Sequence, residues 1–263
     1  MASEPPRLPL FYKGLEPLSS QVHANYRTRA ADTAPFLTNA HAIPITVDEF
    51  VTAQRFYPIV FSTGENPVPI VLMGLNDGVN VFVDEEGRLK QQDIYVPAYV
   101  RRYPFMLAKL RPDVDELSLC FDPESGLVGP YDEGLPLFED GKPSMATDTV
   151  LKFCEEFETS AQRTNAFMED LVESGLLIDG EVTIQPTGSP EPFIYRGFQM
   201  VSEEKVRDLR GDELRKMNQK GLLPLVMAHL FSLGQIREIF GKQMGLQKVV
   251  RPVVRDEAEN VLN

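Results

Sequence analysis

Residues 95–105, with the sequence YVPAYVRRYPF, concentrate the side chains best suited to binding chemistry. The segment offers five candidate ligand- or partner-binding residues: Tyr95, Tyr99, Arg101, Arg102 and Tyr103. Neighbouring residues of a helix point about 100° apart, so the two arginines cannot face the same way. One of them could pair with a carboxylate of the acidic middle of the chain, and the other could bind a ligand carboxylate or stack on a tyrosine ring. The arginines therefore have two interpretations, a structural ion pair and a recognition site for an anionic or peptide ligand.

A second candidate pair lies near the end of the chain. His229 falls on the apolar stripe of a predicted helix, and Ser232 lies one turn away on a neighbouring face. A buried neutral imidazole needs hydrogen-bond partners, so a satisfied core histidine is one interpretation. The alternative is a ligand-facing residue or general base, with His229, Ser232 and a nearby arginine lining the pocket of an enzyme.

The chain contains no recognisable catalytic motif. It lacks a phosphate-binding loop, a dinucleotide fingerprint, a serine nucleophile elbow and the paired-histidine helix of zinc proteases. Its histidines are His23, His41 and His229, and none has an acidic residue two positions later, as non-haem iron sites commonly require. A three-histidine metal site stays possible in principle. The prediction is nevertheless no metal and no cofactor, with unknown catalytic residues.

The two cysteines are expected to be structural. Cys120 and Cys154 both lie in apolar patterns, where a thiol behaves as a small buried hydrophobe. Two cysteines are also too few for a disulfide framework or a four-thiolate zinc site.

The charge of the chain is concentrated in its middle. The net charge is −13, and residues 113–181 alone carry 18 Asp and Glu against Lys142, Lys152 and Arg163. Because this region would repel a polyanion, nucleic acid is not an expected partner. A solvated acidic surface and a face for a basic partner or a divalent cation both fit the pattern.

The location expected from the sequence is cytoplasmic. No window approaches the roughly 20 apolar residues that span a bilayer. The first residues, MASEPP, have neither the basic start nor the apolar stretch of a Sec signal, although type I secretion stays open. Composition does not predict the oligomeric state.

Two proline junctions divide the first half into similar units. Tyr57-Pro58 and Tyr103-Pro104 each follow a short helical pattern and precede an apolar run. The residue before proline is pushed out of the helical region, so each junction predicts a helix followed by strands. The first unit would comprise a helix over 46–56, capped by Thr46 with Glu49, and strands at 58–62, 68–74 and 79–84. The second would comprise a helix from 96 to 102 and strands at 104–109 and 116–121.

The second half is predicted to be mainly helical. A long helix from 147 to 174 carries one apolar stripe: Val150, Cys154, Phe157, Ala161, Thr164, Met168 and Leu171. A hairpin over 182–184 and 193–201 precedes helices at 203–209 and 212–219. A final helix begins near Leu222 and carries its stripe to Phe240.

These elements predict an α+β fold, with a mainly antiparallel sheet built from two helix–strand–strand units and packed with C-terminal helices. The predicted organisation is an irregular arm over 1–42 and one domain over 43–240, with possible sub-units 43–121 and 147–240. Residues 241–263 are predicted to form a flexible tail.

Several separated segments together resemble the SapC family, over about residues 18–240. They are FYPIVF at 56–61, GVNVFVD at 78–84, YVPAYVRRYPF at 95–105, RGF at 196–198, GLL at 221–223 and AHLFSL at 228–233. The family name implies an association with bacterial surface layers. The resemblance supplies no reaction and no catalytic residues.

The resemblance also implies a setting. Members resemble products of loci that hold TonB-dependent receptors, flavin-dependent halogenase-like proteins and cupin-like proteins. The first hypothesis is therefore a non-catalytic accessory protein with a protein or peptide partner, linked to outer-membrane uptake or peptide modification. The alternatives are an enzyme of unrecognised type acting on a peptide or small anionic ligand, and a secreted surface-layer component.

Overall fold

The computed structural model describes residues 8–111, 113, 116–186 and 191–246. Residues 1–7 of the predicted N-terminal arm and 247–263 of the predicted tail lie outside this part of the chain. The strands are β1 Glu16–Pro17, β2 Arg27–Thr28, β3 Ala42–Pro44, β4 Ile59–Phe61, β5 Pro69–Leu72, β6 Phe105–Lys109, β7 Leu117–Phe121, β8 Val128–Gly129, β9 Leu135–Pro136, β10 Phe138–Glu139, β11 Lys142–Pro143, β12 Leu177–Asp179, β13 Val182–Ile184, β14 Phe193–Tyr195 and β15 Gln199–Val201.

The α-helices are α1 Phe50–Ala53, α2 Ala98–Arg101, α3 Met145–Glu173, α4 Glu203–Arg207, α5 Gly211–Gln219, α6 Leu222–Ser232 and α7 Gln235–Gly245. Short 3-10 helices lie at Pro35–Leu37, Val47–Glu49 and Pro123–Ser125. Antiparallel sheets combined with C-terminal helices confirm the predicted α+β class.

The chain divides into two compact units with interleaved segments. The first contains residues 8–38, 43–49 and 83–167, and the second contains 39–42, 50–82 and 168–246. The hairpins of the two predicted helix–strand–strand patterns belong to different units and lie in different sheets. The predicted domain boundaries remain a prediction.

The first unit is built around small sheets and residues 145–167 of the long helix α3. One sheet has the order β1-β7-β6, a second has the order β8-β2-β9, and β10 pairs with β11. Alternate side chains of a strand face the same side, so β6 and β7 contribute every second residue to one core. That core contains Phe105, Leu107, Phe121, Val128, Leu137 and Cys154.

The second unit contains the larger sheet, with the order β12-β15-β4-β5-β3. Helix α6 contacts β4 and β15, and β13 and β14 form a separate hairpin. The predicted hairpin over 182–201 is therefore only partly right, because β15 leaves β14 and pairs with β12 and β4.

The proline junctions and the long helix are confirmed. Each junction follows a short helix and precedes a hairpin, β4–β5 after Pro58 and β6–β7 after Pro104. Helix α3 runs from Met145 to Glu173, and every residue of its predicted stripe is buried or half-buried. The first helix is shorter than predicted, since α1 ends at Ala53.

Two predicted elements are wrong. Residues 79–84 do not form a strand. The side chain of Asn80 accepts from Phe82 N and donates to Ala40 O, and these bonds take the place of hydrogen bonds to a neighbouring strand. The single final helix is divided into α6 and α7, where Leu233 N bonds Leu230 O and Ile236 N bonds Leu233 O. These tighter bonds occur at Gly234, and glycine is a poor helix former.

Among the described residues, no helix combines the length and apolar character needed to cross a bilayer.

Candidate functional site

A buried carboxylate fixes the start of α2 in the first unit. Glu49 Oε1 accepts hydrogen bonds from Tyr95 OH at 2.9 Å and from Ala98 N at 2.7 Å. Its Oε2 accepts from Thr46 N at 2.8 Å, which is one half of the predicted capping box, and from Thr46 Oγ1 at 2.9 Å. The Thr46 hydroxyl therefore donates to Glu49, and Glu49 N donates to Thr46 O. The residue before α2, Pro97, provides no side-chain cap. Glu49 therefore supplies the acceptor that the first turn of α2 would otherwise lack.

Arg101 folds back on its own segment. Its Nε donates to Val96 O at 3.1 Å, and its Nη2 donates to Tyr95 OH at 3.3 Å. The guanidinium also lies 5.2 Å from the ring centre of Phe153. Burial and, next in size, the Glu49 carboxylate raise the pKa of Tyr95 to about 12, although Arg101 opposes the shift. The phenol therefore stays protonated and donates to Glu49.

Arg102 combines both roles that the sequence divided between the two arginines. It is only 7% exposed, and its guanidinium lies 4.3 Å from the ring centre of Tyr99 and 4.2 Å from that of Phe157. Its Nη1 is 3.8 Å from Glu158 Oε1, which is an ion pair but too long for a hydrogen bond. Its Nε is buried and has no hydrogen-bond partner among the described residues.

Tyr99 and Tyr103 are anchored through their hydroxyls. Tyr99 OH donates to Leu10 O at 3.2 Å, and Tyr103 OH donates to the fully buried Asp122 at 3.1 Å. Burial raises the pKa of both tyrosines, and the Asp122 carboxylate raises that of Tyr103 further. The Tyr103 ring centre lies 4.4 Å from that of Phe36. Both tyrosines are thus neutral and held in fixed positions.

A cavity of about 500 Å³ lies beside these residues within the first unit. Three of the predicted binding residues line it: Arg101, Arg102 and Tyr103. Tyr95 and Tyr99 are not in its lining, although each contacts one of the two arginines.

Sequence reasoning missed the opposite walls of this cavity. One wall comes from α3, with Val150, Phe153 and Cys154, and another from the irregular segment 28–37. Val150 and Cys154 belong to the apolar stripe that the sequence predicted for α3, but the stripe indicated only that they are core residues. No local pattern in 28–37 marks it as a wall.

His229 and Ser232 belong to the second unit and connect α6 to the sheet. His229 is fully buried; Nδ1 lies 2.7 Å from Ile59 O, and Nε2 accepts from Val201 N at 3.0 Å. Ser232 Oγ accepts from Ile59 N at 2.8 Å. Gln199 pairs with Phe61 in this ladder, so Val201 and Ile59 would form the next hydrogen-bonded pair. The side chains of α6 replace both bonds of that pair.

This arrangement fixes the state of the imidazole. Nε2 must be unprotonated to accept from Val201 N, and Nδ1–H donates to Ile59 O. Burial lowers the pKa of His229 to about 4, and its bond to Ile59 O opposes the shift. Neither His229 nor Ser232 lines the first-unit cavity or a smaller cavity of about 100 Å³ in the second unit. The bonds support a structural role for both residues.

The cysteines and acidic residues show no features of a reactive or metal centre in the described part of the chain. Burial raises the pKa of the Cys154 thiol to about 11 and raises that of Cys120. Within residues 8–111, 113, 116–186 and 191–246, no three His, Cys, Asp or Glu side chains are grouped so that they could hold a metal ion.

Comparison with known proteins identifies a family. A family model described as SapC matches residues 18–239, which is most of the chain. No curated protein and no solved structure matches it.

Proposed function

We propose that this chain, which belongs to the SapC family, is a non-catalytic binding protein whose ligand occupies the first-unit cavity. Arg102 carries the proposal, because its nearly buried side chain lines this cavity while its Nε has no hydrogen-bond acceptor among the residues that the structure describes. Buried donors in native proteins almost always have a partner, so this unpaired Nε calls for a physical explanation, and a bound ligand would supply one.

The size and walls of the cavity support the same function. A volume of about 500 Å³ is within the range of small-molecule sites. The carboxylate of Glu49 and the hydroxyls of Tyr99 and Tyr103 hold the polar walls in place before any ligand arrives. Preorganisation of this kind reduces the entropy cost of binding.

The family resemblance extends the proposal to a cellular role. We propose a cytoplasmic accessory protein that binds a peptide or protein partner, linked to outer-membrane uptake through TonB-dependent receptors or to peptide modification by halogenase-like proteins. Cell fractionation tests this against the surface-layer alternative, which requires the protein outside the cell. The enzyme alternative relied on His229 and Ser232, whose polar atoms are engaged by Ile59 and Val201.

The test is to identify what the purified protein carries. The chain and a double variant, Arg101→Ala with Arg102→Ala, are purified in parallel, and their bound molecules are identified by native and denaturing mass spectrometry. Arg207→Ala is the matched control, because Arg207 is an exposed arginine of α4 that pairs with Glu203. We expect a molecule or peptide that accompanies the wild type and the control and is lost from the folded double variant. Equal content in the double variant, or no bound molecule in the wild type, would contradict the proposal.

A further inference from the structure

The charged groups around the first-unit cavity have a sign opposite to that of the whole chain. Among the described residues, its lining contains Arg29, Arg101 and Arg102 and one carboxylate, that of Asp32. The chain as a whole carries −13. A locally positive lining in an acidic protein favours an anion, since charges close to a ligand in a partly enclosed site act more strongly than distant, screened ones.

Arg102 is the most buried of these charges, since Arg29 and Arg101 are exposed whereas Arg102 is 7% exposed. A guanidinium does not lose its proton in a protein, so its charge must be balanced by partners. The aromatic faces of Tyr99 and Phe157 contribute cation–π attraction to this charge. The nearest carboxylate, Glu158, is 3.8 Å away.

Glu158 is an incomplete counter-ion. Burial raises the pKa of its carboxyl, although Arg102 opposes that shift. Glu158 is not in the cavity lining. A ligand anion could therefore approach Arg102 from the cavity while Glu158 stays in place. Two carboxylates beside one guanidinium would repel each other, and Glu158 would therefore weaken the binding of an anion.

The remaining walls limit the ligand to one charge on an apolar body. Val96, Val100, Val150, Phe36 and Phe153 contribute apolar side chains to the same cavity. An apolar ligand body would gain from being removed from water there. A ligand with several charges would leave some of them unpaired against these walls, which is costly.

We propose that the first-unit cavity binds an apolar monocarboxylate, with the carboxylate at Arg102 and the apolar body between α2 and α3. This inference rests on the proposed binding function and specifies its ligand class. The carboxylate could belong to an aliphatic acid or to the C-terminus of a short apolar peptide, and these two sources share the same recognition chemistry.

The test compares acids with neutral molecules of the same shape. Decanoate and decanol form one pair, and acetyl-Leu-Leu-Leu as its free acid and its amide forms the other. Binding is measured by isothermal titration calorimetry, since the chain has no tryptophan to report on a ligand. We expect the acid of at least one pair to bind the wild type about tenfold or more tightly than its neutral counterpart. The pair that shows the preference identifies the source of the carboxylate.

Two variants with opposite effects separate recognition from general loss of structure. Arg102→Gln should abolish the preference for the acid, whereas Glu158→Gln should strengthen binding of the acid and leave the neutral molecule unchanged. Arg207→Gln should behave as the wild type. Circular dichroism and thermal unfolding establish that each variant is folded, and the Glu158→Gln result stands even if Arg102→Gln fails to fold.

The outcomes also separate this inference from the proposed function. Equal binding of acid and neutral molecules, no binding of any of the four by the wild type, or weaker binding of the acid by Glu158→Gln would overturn the ligand class. The binding function would still stand if a co-purifying molecule is lost from the double arginine variant. Suppose that the double arginine variant keeps the co-purifying molecule and that Arg102→Gln keeps the preference for the acid. That result would overturn both the binding function and the ligand class.

Discussion

Replacement of His229 by Gln should change how the stability of the protein depends on pH. The imidazole is buried between Ile59 O and Val201 N, and its pKa is lowered to about 4 from the ordinary 6.5. In the unfolded chain the same histidine takes up a proton near pH 6.5. Below that pH the unfolded state binds more protons than the folded state, so stability falls as the pH decreases.

The magnitude follows from the size of the shift. Each pKa unit corresponds to about 1.4 kcal/mol, so this histidine should remove about 3 kcal/mol of unfolding free energy between about pH 7 and pH 4. Most of that loss should occur between pH 6.5 and 4. Glutamine keeps a donor and an acceptor but does not titrate. His229→Gln should therefore cost about 1–3 kcal/mol at pH 7, where it disturbs two buried bonds, and lose less than the wild type on acidification.

The assay is urea unfolding followed by far-UV circular dichroism at several pH values, because the chain contains eight tyrosines but no tryptophan. The quantity of interest is the difference in unfolding free energy between wild type and His229→Gln. That difference should decrease by about 3 kcal/mol from pH 7 to pH 4. Parallel curves for the two proteins would refute the reasoning. So would an imidazole NMR signal, assigned by its absence from the variant, that titrates near pH 6.5.

Three further outcomes are expected in the first unit. Glu49→Gln should destabilise the protein by about 3 kcal/mol in urea unfolding, because an amide oxygen cannot serve the four donors that the carboxylate binds; an unchanged midpoint would contradict this. Native Cys154 and Cys120 should react with a thiol reagent at pH 8 at least about 100-fold more slowly than in urea, since burial raises the pKa of both thiols; comparable rates would show that they are accessible. Gly87→Ala should lower the thermal midpoint, because Gly87 has φ of 81° and a Cβ there would collide with the backbone of Ala34; a midpoint equal to the wild type would contradict the geometry.

Local chemistry explains which parts of the fold the sequence could predict. The capping contact between Thr46 and Glu49 spans three residues, and the proline junctions act on adjacent residues, so both are visible without knowledge of the tertiary structure. The stripe of α3 is similarly encoded by a helical repeat. The failed strand at 79–84 shows the limit of this approach, because the competing bonds of Asn80 reach Ala40.

The candidate site was only partly predictable for the same reason. The Tyr and Arg content of residues 95–105 identified one wall of the cavity, but Arg102 meets Phe157 and Glu158 from α3, more than fifty positions later. The sequence also did not predict that Glu49 anchors α2 through Ala98. Such contacts depend on how distant segments pack, and one sequence without homologues contains no direct signal for them.

The replaced ladder pair at Ile59 has a consequence for the order of folding. The backbone N–H and C=O of Ile59 form their hydrogen bonds with the side chains of Ser232 and His229, which lie about 170 positions later in the chain. During synthesis β4 can pair with β5 as soon as both have emerged, but its other edge stays incomplete until α6 has been made. Exposed strand edges pair readily with other chains. The nascent protein therefore has an interval in which this edge is open to association, and the docking of α6 ends that interval.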